Sequence, residues 1–203
     1  MPEQDTRGVV IRPADQPGDL GWVVMAHGEV YAAEFGWDTS FEALVARIVA
    51  DYASAADQAR SAAWIAEVDG QRAGCVFCVQ AEPDAPAEPD AQAESDAQAE
   101  PGAPAAREAA GAGDTAQLRI LLVHPRARGH GAGDRLVTAC MDFARSAGYA
   151  RMRLWTNDVL AAARVIYLRH GFTLAEQDPH RSFGADLVGQ VYEARLAPVP
   201  AAR

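Results

Sequence analysis

The residues that decide the fold are Leu118–Leu136, which read LRILLVHPRARGHGAGDRL. They open with a run of branched apolar residues that is short enough to be one buried strand. Pro125 ends this run, because proline has no N–H group to give to a neighbouring strand. From Leu136 to Ala144 apolar residues recur at helical spacing. The stretch therefore predicts a strand, a glycine-rich turn and a helix.

Three glycines at alternate positions, Gly129, Gly131 and Gly133, form the turn between this strand and this helix. Without Cβ atoms they leave the first N–H groups of the helix open to a ligand, and the helix dipole adds roughly half a positive charge there. A helix end of this kind binds phosphate groups.

The spacing of the loop separates three classes of phosphate-binding loop. A nucleoside-triphosphate loop requires a lysine, and the chain contains none. A dinucleotide-binding loop would place its third glycine at position 134, which is Asp134. The third pattern, Arg/Gln-x-x-Gly-x-Gly/Ala, is matched by Arg128, Gly131 and Gly133.

A second motif lies downstream, where Ala163, Tyr167, Gly171 and Phe172 fit the pattern A-x-x-x-Y-x-x-x-G-F. With the loop, it resembles the GNAT superfamily of N-acetyltransferases, which bind the pyrophosphate of acetyl-coenzyme A (acetyl-CoA) in that loop. The resemblance implies an α+β fold, with a central mixed and mostly antiparallel sheet of six to seven strands. It also implies about four flanking helices and a splayed pair of parallel strands.

The other predicted elements follow the order expected of this fold. A first strand is predicted at 9–12 and a helix at 20–35, then a helix from 41 to about 56 that begins at a cap formed by Thr39 or Ser40. Asp69-Gly70 between two β-rich runs predicts a hairpin. Downstream we expect a strand at 152–157, a helix capped by Asp158, a polar loop at 176–189 and a last strand at 190–196.

The chain has 203 residues and a formal net charge of −10. We expect a single domain, 1–203 with a core at 8–196, interrupted by an Ala/Pro/Glu/Asp-rich insertion at 81–114 whose imperfect six-residue repeat predicts disorder. The insertion carries nine acids and one base from residue 82 onward. Most of the net charge therefore belongs to this segment and says little about the substrate.

Composition also bears on location and partners. The polar start of the chain and the lack of an 18-residue apolar run predict no signal peptide, no membrane span and a cytoplasmic location. Cys75 and Cys78 lie three apart in a predicted strand, so we expect a buried, reduced pair on opposite faces and no metal site.

The chain also resembles bacterial acetyltransferase domains fused to MarR-type regulators. Because only seven residues precede Gly8, we infer no nucleic-acid binding.

The family resemblance implies which residues bind acetyl-CoA. The pantetheine arm is expected to pair with the backbone of the first parallel strand, at Leu121, Leu122 and Val123. Asn157 could take the place of an asparagine that many relatives carry where this chain has Leu160. The pyrophosphate is expected to contact the loop residues Arg128, Gly129, His130, Gly131, Ala132 and Gly133, with the His130 side chain exposed and incidental.

Tyr167 is the candidate catalytic residue that the resemblance implies, as the acid that protonates the departing thiolate. The alternative is a buried tyrosine that only packs. The attacking amine must be neutral, yet residues 116–123 contain no carboxylate to take its proton. Glu34, Asp38 and His124 are candidates for that role, and surface or capping roles are the alternative for each.

Trp37, Trp155 and the loop at 178–183 are candidates for shaping the acceptor pocket, with core packing as the alternative for both tryptophans. The resulting hypothesis is an N-acetyltransferase that moves the acetyl group of acetyl-CoA to a primary amine by direct attack in a ternary complex. The acceptor would be a small molecule or a peptide, and a homodimer is left open. The alternatives are a non-catalytic acyl-CoA sensor and an interaction module that works through its acidic repeat.

Overall fold

The computed structural model describes residues 8–55, 58–81 and 113–197. The predicted insertion, apart from its two ends, lies outside them. The elements in chain order are β1 (Val9–Pro13), α1 (Asp19–Phe35), α2 (Thr39–Ser54), β2 (Ala62–Val68), β3 (Gln71–Gln80), β4 (Thr115–Val123), α3 (Ala132–Ser146), β5 (Arg151–Asn157), α4 (Ala161–Arg169), β6 (Thr173–Ser182) and β7 (Ala185–Arg195).

The strands form one seven-stranded sheet in the order β1-β2-β3-β4-β5-β7-β6. All neighbouring strands run antiparallel except β4 and β5, which are parallel. The expected α+β fold, with its mixed sheet and four helices, is therefore confirmed.

Two apolar clusters cover the two faces of the sheet. Side chains of α3 and α4 pack in one cluster and side chains of α1 and α2 in the other. Cys78 belongs to the first cluster and Cys75 to the second, and both are buried free thiols. This confirms that the two cysteines face opposite sides of the strand.

The Asp69-Gly70 hairpin is also confirmed. Both residues have positive φ, 52° and 73°, between β2 and β3. This is the signature of the turn whose twist matches that of two antiparallel strands.

The parallel pair separates after four residues. Thr115–Leu118 pair with Arg151–Leu154, and the pairing of β4 with β5 ends there. Just past that point β4 carries a bulge, because it has one residue more than β3 between two matched pairs, and Ile120 takes a φ of +45°. A β-branched residue rarely adopts this conformation, so backbone strain is concentrated where the two strands part.

The polar loop predicted at 176–189 is wrong. These residues form most of the hairpin of β6 and β7, which turns at Phe183 and Gly184, both with positive φ. β6 is the edge strand and is exposed over most of its length, so it shows no alternation of buried and exposed residues. Its sequence therefore looks like that of a loop.

Two predicted helix caps are also wrong. Asp38, rather than Thr39 or Ser40, caps α2, and its carboxylate accepts the backbone N–H of Ser40 at 2.9 Å. Asp158 does not cap α4, because its carboxylate accepts the N–H of Val188 at 3.1 Å in the neighbouring strand. Capping side chains are interchangeable in sequence, and tertiary contacts decide which one is used.

The start of α1 is fixed by a buried ion cluster. The Asp19 side chain is fully buried and bonds Arg12 and Arg72, each at 2.6 Å. The Arg12 guanidinium, helped by Arg72, holds the pKa of Asp19 down at about 2. The stabilisation is therefore complete above the ordinary carboxylate pKa near 4 and is lost as the pH falls toward 2.

We expect Asp19→Asn to destabilise the protein by about 3 kcal/mol, because two partly buried guanidinium groups lose their partner. The variant should also lose less stability than the wild type on acidification from pH 5 to pH 3. Urea unfolding across this pH range would measure both effects. Asp142→Asn removes a solvent-exposed pair with Arg145 and is the control. Equal losses in the two variants would contradict the prediction.

Candidate functional site

A cavity of about 540 Å³ opens where β4 ends and α3 begins, with α1 and α4 as its other walls. Most of the predicted coenzyme-binding residues line it: Leu121, Leu122, Val123, Arg128, Gly129, Gly131, Ala132 and Gly133. The fold thus brings together in space the strand and the loop that were identified in the sequence.

The loop presents open backbone at the start of α3. Gly129 and Gly131 have φ values of +79° and +72°, and a Cβ atom at either position would meet nothing within 4 Å. Gly131 is the N-cap of α3 and offers no side-chain cap, so the first N–H groups of the helix have no intrahelical acceptor. These donors at the cavity wall suit a diphosphate.

Gly133 has a different role from the other two glycines. A Cβ atom there would lie 2.5 Å from Ile166 Cδ1 and 3.2 Å from Val123 Cγ2. The glycine therefore allows α3 to pack closely against α4 and β4, which keeps the helix end beside the cavity.

Arg128 forms an ion pair with Glu34 at the wall of the cavity. Its guanidinium lies 2.7 Å from the carboxylate of Glu34 on α1, and both side chains line the cavity. His130 donates from Nδ1 to the carbonyl of Arg128 at 2.9 Å and does not line the cavity. Glu34 was a candidate for taking the proton of the amine, and it lines this cavity but not the one that contains Tyr167.

We expect Glu34→Gln to tighten acetyl-CoA binding two- to fivefold. A phosphate must compete with Glu34 for Arg128, and partly exposed ion pairs contribute up to about 1 kcal/mol. Calorimetric titration at low and high salt would measure the gain, which should shrink as salt screens the pair. Glu29→Gln, an exposed change on the same helix, is the control. Weaker binding in Glu34→Gln alone would contradict the expectation.

A second, smaller cavity of about 70 Å³ lies beyond the point where β4 and β5 part, between these strands, α1 and α2. It shares Tyr31, Leu121 and Leu160 with the first cavity. The two cavities therefore meet at the splayed strands, one on the side of the glycine loop and the other on the side of α2.

Tyr167 lines the second cavity from α4 and is 4% exposed. Its ring packs edge-on against Phe172 at 5.9 Å and near Tyr192 at 6.4 Å. Burial raises the pKa of Tyr167 above that of a free phenol, so the hydroxyl keeps its proton at neutral pH. Both interpretations of this residue, packing and acid, are compatible with its position.

The two tryptophans line the second cavity as well. Trp37 is buried in an aromatic cluster, with ring centres 4.6 Å from Phe41 and 4.9 Å from Phe183. Trp155 is partly exposed, with its ring 5.7 Å from that of His180. Trp37 therefore both packs in the core and borders the cavity.

Asp38 and His124 line neither cavity. The hydroxyl of Ser40, with its backbone N–H, lowers the pKa of the Asp38 carboxylate. Nδ1 of His124 accepts the backbone N–H of Arg126 at 3.3 Å, and burial, with the nearby arginines, lowers the pKa of this histidine. Both side chains serve as local caps in the structure.

Asn157 lines the second cavity rather than the first. Its Oδ1 accepts from Nε2 of His180 at 2.9 Å, and Nδ1 of His180 lies 2.9 Å from the hydroxyl of Ser182. The β6–β7 hairpin thus fixes the orientation of Asn157. Its contact with the coenzyme stays a prediction.

Sequence reasoning did not identify most residues of the second cavity, among them His27, Tyr31 and Ile120. His27 and Tyr31 lie among the buried positions of an amphipathic helix, where nothing separates a pocket residue from a core residue. Ile120 lies in an apolar run without glycine or proline, so its bulge has no sequence signal.

Within the described residues, no group of three or more His, Cys, Asp or Glu side chains is suited to hold a metal ion. None of the described helices has the length and apolar character that a membrane span requires.

Solved structures with the same fold come from several bacteria. The yncA protein of Salmonella typhimurium, assigned as an acetyltransferase and solved with its cofactor acetyl-CoA, is 19% identical, with a TM-score of 0.66 over 97% of this chain and 99% of that one. A ribosomal-protein-alanine N-acetyltransferase from Brucella melitensis is 16% identical, with a TM-score of 0.65 over 92% and 99%. An N-acetyltransferase from Staphylococcus aureus is 17% identical, with a TM-score of 0.65 over 93% and 99%.

At these identities the solved structures show the fold alone, and no curated protein matches the sequence significantly. A family model gives the decisive match, since the acetyltransferase (GNAT) family model covers residues 28–172, from the middle of α1 to the end of the second motif. The cavity with its open helix end lies within this range. The chain therefore belongs to the acetyltransferase (GNAT) family.

Proposed function

We propose that this domain transfers the acetyl group of acetyl-CoA to a primary amine by direct attack in a ternary complex. The observation that carries the proposal is the meeting of two cavities at the splayed strands. One cavity has open amides suited to a diphosphate, the other contains Tyr167, and they share Tyr31, Leu121 and Leu160.

The residues present suit acetyl-CoA. The open amides at the start of α3 bind the pyrophosphate, and Arg128 adds a charge-assisted contact after it leaves Glu34. Beyond the last paired residue, Leu118, the N–H and C=O groups of Leu121–Val123 along β4 are no longer paired with β5, so an extended amide-bearing arm can pair with them as a strand would. When bound, acetyl-CoA supplies the activated acetyl group.

Tyr167 gives its proton to the sulfur that leaves during transfer. Its burial keeps the phenol protonated at neutral pH, which is the state that an acid requires. Trp37 and Trp155 bound the space in which the amine lies. These roles place the amine and the acid in the same small cavity.

Thiol release from acetyl-CoA in the presence of an amine panel tests the proposal. The panel should contain 2-phenylethylamine, spermidine, an amino-acid amide and a short peptide, and the acetylated product should be identified by mass spectrometry. Turnover with at least one primary amine is expected. Tight binding of acetyl-CoA without thiol release from any amine would overturn the proposal in favour of an acyl-CoA sensor. A sensor would not need a proton acceptor, and residues 116–123 of β4 contain no carboxylate.

We further propose that the acceptor is a primary amine on a small molecule or peptide, that the protein acts in the cytoplasm, and that residues 1–203 form one domain with an insertion at 81–114. The chain resembles, in kind, the acetyltransferase domains that occur fused to MarR-type regulators. A variant that lacks 82–112 should keep acetyl-CoA binding and turnover if the insertion has no part in the reaction.

A further inference from the structure

His27 on α1 has one ring nitrogen bonded and the other unpaired. The residue is 1% exposed, and its Nδ1 lies 2.8 Å from the carbonyl oxygen of Val23, one turn earlier. A carbonyl oxygen only accepts, so Nδ1 must carry the proton in this bond. In the neutral ring Nε2 is then an unprotonated acceptor. Within the described part of the chain it has no donor partner, and the nearby carbonyl of Ile120, which raises the pKa of the ring, can only accept.

A buried acceptor without a donor is uncommon in folded proteins, because nearly all such atoms find a partner. His27 is also one of the residues that line the second cavity. The ring stacks on Tyr31, with centres 5.8 Å apart and planes 10° apart, and Phe41 lies 6.1 Å away. These contacts hold the imidazole ring between α1 and α2, at the edge of the second cavity.

The charges around this cavity favour a neutral histidine. Among the described residues that line the cavity there is no carboxylate, and its ionisable groups besides His27 are Arg119, Tyr31 and Tyr167. Burial lowers the pKa of His27 to about 4, whereas burial raises the pKa of both tyrosines. At neutral pH the cavity is therefore lined by a neutral imidazole, two protonated phenols and the guanidinium of Arg119.

We propose that Nε2 of His27 accepts the N–H of the attacking amine and takes its proton during acetyl transfer. This inference rests on the proposed function, and it assigns the proton acceptor that β4 does not supply. The donor missing from Nε2 is then the substrate itself.

The transfer delivers one proton to the sulfur and one to His27. The amine enters as the free base, and its lone pair forms a bond to the acetyl carbonyl carbon while the carbon–sulfur bond breaks and its electron pair leaves with sulfur. Tyr167 gives a proton to the sulfur, and one amine proton passes to Nε2 of His27. The proton on the imidazolium then returns through water to the tyrosinate, so the net products are an amide and a free thiol.

This arrangement also limits the class of acceptor. A cavity without a carboxylate gives no counter-ion to a second ammonium group, and its aromatic wall suits an apolar or flat body. We therefore expect monoamines with an apolar substituent, such as 2-phenylethylamine, to be preferred over spermidine, by about tenfold or more in kcat/KM.

The test compares three variants of His27, with Asn, Gln or Ala in its place, and one control variant, under conditions in which the wild type is saturated with acetyl-CoA. His27→Asn keeps an amide close to the Val23 carbonyl and removes the ε nitrogen, while His27→Gln places a nearly non-basic amide close to the ε position. His170→Asn, at the C-cap of α4 and outside the lining of both cavities, is the matched control. Calorimetry with acetyl-CoA shows whether each variant is folded.

We expect kcat for the best amine to fall about 100-fold in His27→Asn and in His27→Gln, with acetyl-CoA affinity unchanged within twofold. In His27→Ala, added imidazole should restore part of the activity in proportion to its concentration, which a packing role would not produce. The control should stay within twofold of the wild type.

Wild-type turnover together with full activity of His27→Asn would overturn this inference and leave the proposed function standing. Loss of acetyl-CoA binding in both His27→Asn and His27→Gln would identify His27 as a packing residue and overturn the inference as well. A wild-type protein that acetylates no amine in the panel would overturn the proposed function together with this inference.

Discussion

Gly131→Glu is expected to weaken acetyl-CoA binding by more than 300-fold. Gly131 is the N-cap of α3 and has a φ of +72°. A glutamate at this position places a negative charge beside the amides that receive the pyrophosphate, and it adds the strain of a left-handed residue. The loss of two charge-assisted hydrogen bonds, about 1.5–3 kcal/mol each, together with the charge repulsion gives a change of this size.

Gly148→Glu is the matched control for this prediction. Gly148 follows the other end of α3, has a φ of +80°, and a Cβ atom there would also meet nothing within 4 Å. The control therefore adds the same charge and a similar backbone strain at the end of the helix that faces away from the cavity. Calorimetric titration with acetyl-CoA and a thermal melt of both variants separate binding from stability. Equal affinities in the two variants would remove the basis for a phosphate site at the glycine loop.

Tyr167→Phe is expected to lower kcat for amine acetylation about 1000-fold, with acetyl-CoA affinity changed by less than threefold. The substitution keeps the ring that packs on Phe172 and removes the proton donor. Because burial raises the pKa of this phenol, the wild-type rate should not fall through ionisation of Tyr167 at any pH up to 10. Thiol release measured from pH 6 to pH 10 provides both results.

Tyr192→Phe is the control for the loss of a buried hydroxyl. Tyr192 lies in the same cluster, with its ring 6.4 Å from that of Tyr167, and its hydroxyl donates to Gln190 at 3.3 Å. A similar fall in both variants would indicate that packing, and not proton transfer, explains the effect. Activity in Tyr167→Phe within threefold of the wild type would rule out the phenol as the acid.

The first cavity, with its glycine loop, could be predicted from sequence because its signals are local. A strand, a proline stop and three glycines before a helix determine the backbone of the loop whatever surrounds it, and the cavity formed around Arg128, Gly129, Gly131 and Gly133. The Asp69-Gly70 hairpin was predictable for the same reason, since its turn depends on two residues.

The second cavity was less predictable because its residues come from distant parts of the chain. Trp37, Asn157 and Tyr167 were identified in the sequence and line one cavity, but the sequence could not show that Asn157 bonds to His180 or that Asp38 lies outside. The edge strand β6 was taken for a loop, since an exposed strand has no buried face to produce a pattern.

The sequence by itself determined the glycine loop, the four helices, most of the strands and the position of the two cysteines on opposite faces of their strand, because each depends on neighbours within a few residues. Only the tertiary structure decided which polar groups have partners. Arg128 is paired with Glu34, 94 residues away, and Nε2 of His27 has no partner among the described residues. Pairing of this kind depends on which side chains the fold brings within 3 Å or so of each other, and local sequence does not contain that information.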